Sequence, residues 1–252
     1  MRITFLGTGT SVGVPSIGCG CATCTSNDPR DNRLRTSVLV TEDGRNILID
    51  ASTDFRQQAL RTGITKLDAI LFTHAHADHC FGLDDVRPIM MRTGPLACYA
   101  TETTWEGLRR VYEYAFVPGG YSAKPRIEPH TISGAFNVSG IDIEPIEVIH
   151  GELPVTAFRI GEFAYVTDCN HISDEACERL SGLDLLVIDA LRIKAHPTHL
   201  TLAGALAYIE RLAPRRALLT HISHDINHSE HESRLPARVN IAYDGLVVEA
   251  AR

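Results

Sequence analysis

Between positions 73 and 79 the chain reads Thr73-His74-Ala75-His76-Ala77-Asp78-His79, three imidazoles and a carboxylate placed directly after the apolar run Ala69-Ile70-Leu71-Phe72. A helix would space its ligands three or four residues apart. This tighter rhythm instead lets an irregular turn at a strand end aim alternate side chains at two metal ions. A second cluster, Cys19, Cys21 and Cys24, lies in the glycine-containing loop Gly18-Cys19-Gly20-Cys21-Ala22-Thr23-Cys24, and a third, His221 and His224, lies near the other end of the chain. Three thiolates this close together can wrap a tetrahedral zinc but leave one position to be filled. His224 fits that need, and a site closed by three thiolates and one imidazole contributes folding free energy while leaving no place for substrate.

These groups must be mounted on something rigid, and the pattern of apolar runs indicates what. Ile49 leads to Asp50, Phe72 to His74, Ile149 to His150, Val166 to Asp168, Ile188 to Asp189 and Leu219 to His221, so one ligand-type residue follows each of several strands. The backbone ladder of a strand fixes where the next side chain points, which makes strand ends suitable mounts. His74, His76, Asp78, His79, His150, Asp168 and His221 would suffice for two neighbouring divalent ions if one carboxylate bridges them, with water or substrate in the open positions.

Strands are predicted over 3–6, 37–40, 46–49, 69–72, 97–100, 141–148, 156–166, 185–188, 217–219 and 239–249, and helices over 54–62, 83–91, 103–114, 174–180 and 201–212. The last helix carries the best signals, with Thr201 as N-cap, apolar residues at Leu202, Leu206, Ile209 and Leu212, and Pro214 as the stop. Many strands with interspersed helices predict an α/β protein of layered sheets. No repeat or low-complexity linker divides the chain, so it reads as one domain over 1–252 with a cysteine-rich zinc loop at 18–25 and a surface loop at 117–125.

The totals set bounds on function. The 252 residues are 44% hydrophobic and 22% charged, as expected of a globular protein. A formal charge of −7, without a Lys/Arg-rich run, argues against nucleic acid or acidic membrane as a partner. The N-terminus lacks a signal-peptide pattern and no apolar run spans a membrane, so the expected location is the cytoplasm. In that reducing compartment Cys80, Cys98, Cys169 and Cys177 read as small buried residues rather than disulfide partners. Arg33 and Arg35 read as a solvated flank before a strand, with phosphate contact as the alternative. His130, His171, His196, His228 and His231 carry no assigned role, with His228 and His231 the best candidates to line the rim of the site.

The opening Phe5-Leu6-Gly7-Thr8-Gly9, the strand ending in Asp50, the 73–79 signature and the spacing of the later ligands resemble the metallo-β-lactamase superfamily over nearly the whole chain. The resemblance implies an αββα sandwich, two facing mixed sheets flanked by helices, with the site at one edge. It also implies His74, His76 and His150 on one ion, Asp78, His79 and His221 on the other, Asp168 between them, and Asp50 orienting the ligand loop rather than binding metal. The Cys-x-Cys-x-x-Cys loop, Thr220-His221-Ile222-Ser223-His224, and His199 in Pro197-Thr198-His199-Leu200-Thr201 narrow it. They resemble the phosphodiesterase branch associated with phosphonate breakdown, whose members hydrolyse a cyclic phosphate on ribose. Manganese or zinc at the active centre and zinc at the cysteines follow from that branch.

The expected activity is therefore hydrolysis of a small cyclic or nucleotide-like phosphodiester. A hydroxide bridging the ions serves as nucleophile, Asp78 orients its proton and His199 protonates the departing alkoxide. The expected partner is a small-molecule phosphate ester, with a second copy of the chain, as a homodimer, left open. A nuclease of the transfer-RNA 3′-processing type and a thioesterase of the glyoxalase II type are the rival readings. The acidic balance counts against the first, and the cysteine loop with the His199 motif against the second.

Overall fold

A computed structural model of the chain describes residues 1–117, 119 and 124–251. In chain order the elements are β1 (Arg2–Gly7), β2 (Ser37–Glu42), β3 (Arg45–Ile49), α1 (Phe55–Thr62), β4 (Ala69–Leu71), α2 (Ala77–Cys80), α3 (Arg87–Thr93), β5 (Leu96–Ala100), α4 (Glu102–Val111) and α5 (Glu113–Phe116). They continue with β6 (Ile127–Thr131), β7 (Phe136–Val138), β8 (Ile141–His150), β9 (Leu153–Ile160), β10 (Phe163–Val166), α6 (Asp174–Arg179), β11 (Leu185–Asp189), α7 (Leu202–Leu212), β12 (Arg216–Thr220), α8 (His228–Glu232), β13 (Val239–Ile241) and β14 (Val247–Glu249).

The strands form two seven-stranded sheets, ordered β14-β1-β2-β3-β4-β5-β6 and β13-β12-β11-β10-β9-β8-β7. Both are mixed: β3 to β6 run parallel, as do β10 to β13, and the remaining pairs are antiparallel. Strand alternation assigns each residue to a layer. Ile47, Ile49, Ala69 and Leu71 point between the sheets, where they meet Phe158, Tyr165, Leu185 and Val187. Leu48 and Ile70 point the other way, onto Phe55, Trp105 and Leu108 of the helices outside the first sheet. Leu186 and Ile188 face Ala205, Ile209 and Leu212 of α7 outside the second. Strands buried on both faces read as continuous apolar runs, which is why the central ones were legible in the sequence. The two mixed sheets flanked by helices are the αββα architecture expected.

Several boundaries differ from expectation, each for a local reason. The run 156–166 is not one strand but the pair β9 and β10, turned at Gly161 with φ 58°. The run 239–249 splits at Gly245, φ 90°, so that β13 and β14 join different sheets. The helix expected over 83–91 begins as a 3₁₀ turn, Leu83–Val86, and becomes α-helical only with Pro88 in its first turn. The helix over 103–114 breaks at Tyr112 into α4 and α5. Edge strands β6 and β7 were not anticipated. The first carries Pro129 and exposed polar residues, which an edge tolerates. Thr201 caps α7 as expected, its side chain accepting from the Gly204 amide at 3.0 Å. Of the loop expected over 117–125, residues 118 and 120–123 lie outside the described residues. No described helix is long and apolar enough to cross a membrane.

Candidate metal centre

The candidate ligands lie where strands stop. His150 is the last residue of β8, while Asp50, Asp168 and His221 follow β3, β10 and β12 within two residues. These last three have φ values of 62°, 50° and 57°, the left-handed region that L-residues rarely occupy. Each such residue costs on the order of 1 kcal/mol or more, and three at one site are tolerated because the sharp turn directs each side chain inward rather than along the strand. The 73–79 segment contributes the rest. Its second half is a single helical turn, α2, which carries Asp78 and His79.

Hydrogen bonds leave one nitrogen of several imidazoles free. Asp50, fully buried, accepts from the Thr73 amide at 2.8 Å, the Thr73 hydroxyl at 2.8 Å and Nδ1 of His79 at 2.7 Å. Nδ1 of His150 donates to the Thr198 carbonyl at 2.7 Å, and Nδ1 of His74 lies 3.0 Å from the Thr73 hydroxyl. Asp50 thus ties His79 to the start of the 73–79 loop by hydrogen bonds, from a position behind the cluster. Nε2 of His79 then faces Asp168 at 3.1 Å and Asp78 at 3.3 Å, and Nε2 of His221 faces Asp78 at 3.5 Å and Asp168 at 3.4 Å. Nε2 of His74 lies 3.9 Å from Asp168. The His76 ring lies 4.5 Å from that of His74 and 5.3 Å from that of His150.

Among the described residues the buried Nε2 atoms of His74, His79 and His221 have no hydrogen-bond partner. Orphaned imidazole nitrogens aimed at carboxylate oxygens fit a cation between them, since a buried polar atom left alone costs about 1–3 kcal/mol. Ligand atoms of Asp78, His79, Asp168 and His221 all fall within 4.8 Å of one another. Electrostatics agree. Burial would depress His79, yet Asp168, Asp78 and Asp50 hold it well above the usual imidazole value. His221 is likewise raised to about 8 against its burial, by Asp168, Asp78 and Asp189. Burial would raise Asp168 and Asp78, but the neighbouring imidazoles hold both below the ordinary carboxylate range. The cluster is built to be neutralised by positive charge.

His199 stands beside this cluster. Its Nδ1 bonds to Asp189 at 3.0 Å, its ring stacks on His221 at 4.8 Å and meets the edge of His150 at 4.4 Å, and its Nε2 is 3.9 Å from Asp168. Asp189, fully buried at the end of β11, also accepts from the Cys169 and Leu200 amides. The sequence placed Asp189 at a strand end but gave it no partner. Its position, equivalent to those of Asp50 and Asp168, was the available signal.

The cysteine loop closes on His224. Its Nδ1 lies 3.2, 3.4 and 3.6 Å from Sγ of Cys19, Cys21 and Cys24. Tetrahedral zinc, with Zn–S about 2.3 Å and Zn–N about 2.0 Å, separates sulfur from nitrogen by about 3.5 Å, so these donors fit it. The Cys24 amide above all lowers the Cys21 thiol to about 6, which favours the thiolate a metal needs. Cys80, Cys98, Cys169 and Cys177 are buried.

Other candidates take structural places. Arg33 is buried, donating to Thr8 and the Ala242 carbonyl and lying 3.2 Å from Nδ1 of His228, so neither Arg33 nor His228 lines the rim. Arg35 pairs with Asp54 at 2.9 Å. His231 lies 2.9 Å from the Asn227 carbonyl, His130 stacks on Tyr99, and His196 lies 3.2 Å from the Thr198 hydroxyl.

The family model of the beta-lactamase superfamily domain matches residues 45–222, which include most of the centre. A crystal structure described as a new diphosphatase from the PhnP family is 47% identical to this chain. It covers 98% of this chain and 97% of its own, with a TM-score of 0.93. An octanoyltransferase of Porphyromonas gingivalis is 42% identical over 251 residues, 98% of this chain, but the chain spans only 51% of that protein's length. Zn²⁺-bound PqqB from Methylobacterium extorquens, 20% identical with a TM-score of 0.80 over 99% of this chain and 100% of its own, shares the fold. With its ligand loop inside the matched segment and a PhnP-family structure following it along nearly its full length, the chain belongs to the metallo-β-lactamase superfamily and, within it, to the PhnP family.

Proposed function

We propose that this hydrolase-fold protein is a metal-dependent phosphodiesterase acting on a small cyclic or nucleotide-like phosphate. His74, His76 and His150 would hold one divalent ion, Asp78, His79 and His221 the other, and Asp168 both. Zn²⁺ or Mn²⁺ suits this donor set, and Cys19, Cys21, Cys24 and His224 would hold a structural zinc. When bound, the paired ions supply an activated water and charge neutralisation at the phosphoryl oxygens.

The observation that carries the reading is the Asp189–His199 pair set against the metal ligands. A carboxylate on Nδ1 fixes the orientation of the ring and would stabilise it as an imidazolium, whose Nε2–H, turned toward the cluster, is the proton given to the departing oxygen. Ester cleavage needs that proton, because an alkoxide is about as basic as hydroxide and departs poorly without one. Asp78, beside both His79 and His221, would orient the proton of an attacking water.

A second reading, cleavage of a diphosphate, is favoured by the PhnP-family relative described as a diphosphatase. There the leaving group is a phosphate with a pKa of about 6, which departs at neutral pH without a general acid. His199→Ala separates the two. On a ribonucleoside 2′,3′-cyclic phosphate, metal-loaded His199→Ala is expected to lose about 10²–10⁴-fold in kcat with unchanged active-site metal. Turnover of diphosphates alone, with little loss in the variant, would support the second reading and sink the first.

A further inference from the structure

His150 and His199 meet through one residue, Thr198. Its carbonyl accepts from Nδ1 of His150 at 2.7 Å, and the residue after it is His199 itself. The fit is close. Gly151, which follows His150 with φ 67°, leaves no room for a side chain, since a Cβ there would stand 2.8 Å from Cγ2 of Thr198. The Gly151 amide also donates to Oδ1 of Asn170 at 2.6 Å, so the turn after His150 is held on both sides. Where Thr198 sits therefore sets His150 and His199 together.

What holds Thr198 is His196. Nδ1 of His196 lies 3.3 Å from the Thr198 amide nitrogen and 3.2 Å from the Thr198 hydroxyl. The amide can only donate, so Nδ1 accepts and the imidazole is neutral, with its proton on Nε2. Burial, then His199 and Arg192, holds His196 below the ordinary imidazole value and favours that form. A side-chain acceptor that takes the amide two residues on has the geometry of an Asx turn, and Pro197 between the two, its φ fixed by the ring, suits such a turn. Arg192 braces the preceding stretch, donating to the carbonyls of Lys194 at 3.1 Å and Ala195 at 2.7 Å. Among the described residues no other hydrogen bond holds the Thr198 amide or hydroxyl.

We propose that His196 is a positioning residue: by holding Thr198 it fixes, in a single turn, both the metal ligand His150 and the proton donor His199. The His199 half rests on the phosphodiesterase reading above; the His150 half rests only on the metal centre. What matters at position 196 is then an acceptor at the place of Nδ1, not an imidazole. An asparagine oxygen stands the same number of bonds from the backbone as Nδ1, and a glutamine oxygen stands one bond further. His196→Asn can remake the turn, whereas His196→Ala and His196→Gln cannot.

The test uses wild type and the three variants, saturated with Mn²⁺ or Zn²⁺, on two esters: a ribonucleoside 2′,3′-cyclic phosphate, whose alkoxide needs a proton, and bis(p-nitrophenyl) phosphate, whose phenolate departs without one. His196→Ala and His196→Gln should lose about tenfold to a hundredfold in kcat on the first with KM little changed, and at most about threefold on the second. His196→Asn should recover most of the loss. Chelator competition gives a readout independent of turnover: metal should bind about threefold to tenfold more weakly in the Ala and Gln variants and as in wild type in His196→Asn. Should His196→Ala fail to fold, the equally polar Asn and Gln variants carry the comparison. Equal losses on both esters, no recovery in His196→Asn, or wild-type turnover and metal affinity in the Ala and Gln variants overturns the proposal. Wild type inactive on both esters overturns the phosphodiesterase reading and the His199 half with it, and the metal affinities then decide the His150 half.

Discussion

Asp50→Asn keeps the volume of a fully buried side chain while removing its charge and one acceptor. In the native protein one carboxylate oxygen takes the Thr73 amide and the other takes both the Thr73 hydroxyl and Nδ1 of His79. The backbone amide cannot reverse its polarity, so the asparagine oxygen must stay with it. The new NH₂ then faces the Thr73 hydroxyl, which can rotate to accept, and Nδ1 of His79, which can accept only by moving its proton to Nε2. That is the atom facing Asp78 and Asp168, and a protonated nitrogen cannot bind metal. Loss of a hydrogen bond to a charged group is worth about 1.5–3 kcal/mol, or about 10–150-fold in a binding constant, and loss of an orienting partner about 10–100-fold in metal affinity. We therefore expect active-site metal to bind about 10–100-fold more weakly in Asp50→Asn. Competition titration against a chelator measures the affinity, and nitrogen-15 NMR of the imidazoles reports the tautomer. Wild-type affinity in the variant, or Nε2 of His79 still unprotonated, would refute the argument.

Two further outcomes are expected. Cys21→Ala removes one of the donors around His224, so zinc content should fall by about one ion per chain and the melting temperature should drop, and unchanged zinc stoichiometry would exclude the site. For Asp184, burial would raise the carboxyl, but the Ala251 amide, then Arg216 and Arg215, outweigh it and hold the group below 3.8. A carboxyl depressed on folding contributes stability above its unfolded value and loses it as pH falls through the folded one. Asp184→Asn should thus cost about 1 kcal/mol in urea unfolding at pH 7, with the difference from wild type shrinking below pH 3.8.

Much of the centre was legible because its residues are tied to features that local sequence determines. Strands buried on both faces must be apolar throughout, so a histidine or aspartate ending such a run is conspicuous, as at Asp50, Asp168 and His221. Cys19, Cys21 and Cys24 sit within six residues of one another, so their meeting needs no distant contact. Less legible were the edge strands β6 and β7, where solvent on one side removes the need for apolar residues. His228 looked like a rim residue because nothing local shows that a buried arginine, Arg33, lies against it.

What the sequence determined by itself was the inventory: the donors, the strands that carry them, and the class of chemistry they permit. Tertiary structure decided which of them meet. The packing of two sheets brings strand ends separated by up to 171 positions, from Asp50 to His221, to one rim. The same packing couples Asp189 to His199 and presses Thr198 against the turn after His150. Such encounters depend on how layers stack and on where a missing Cβ permits contact, quantities that involve residues distant in the chain and leave no periodic trace in it.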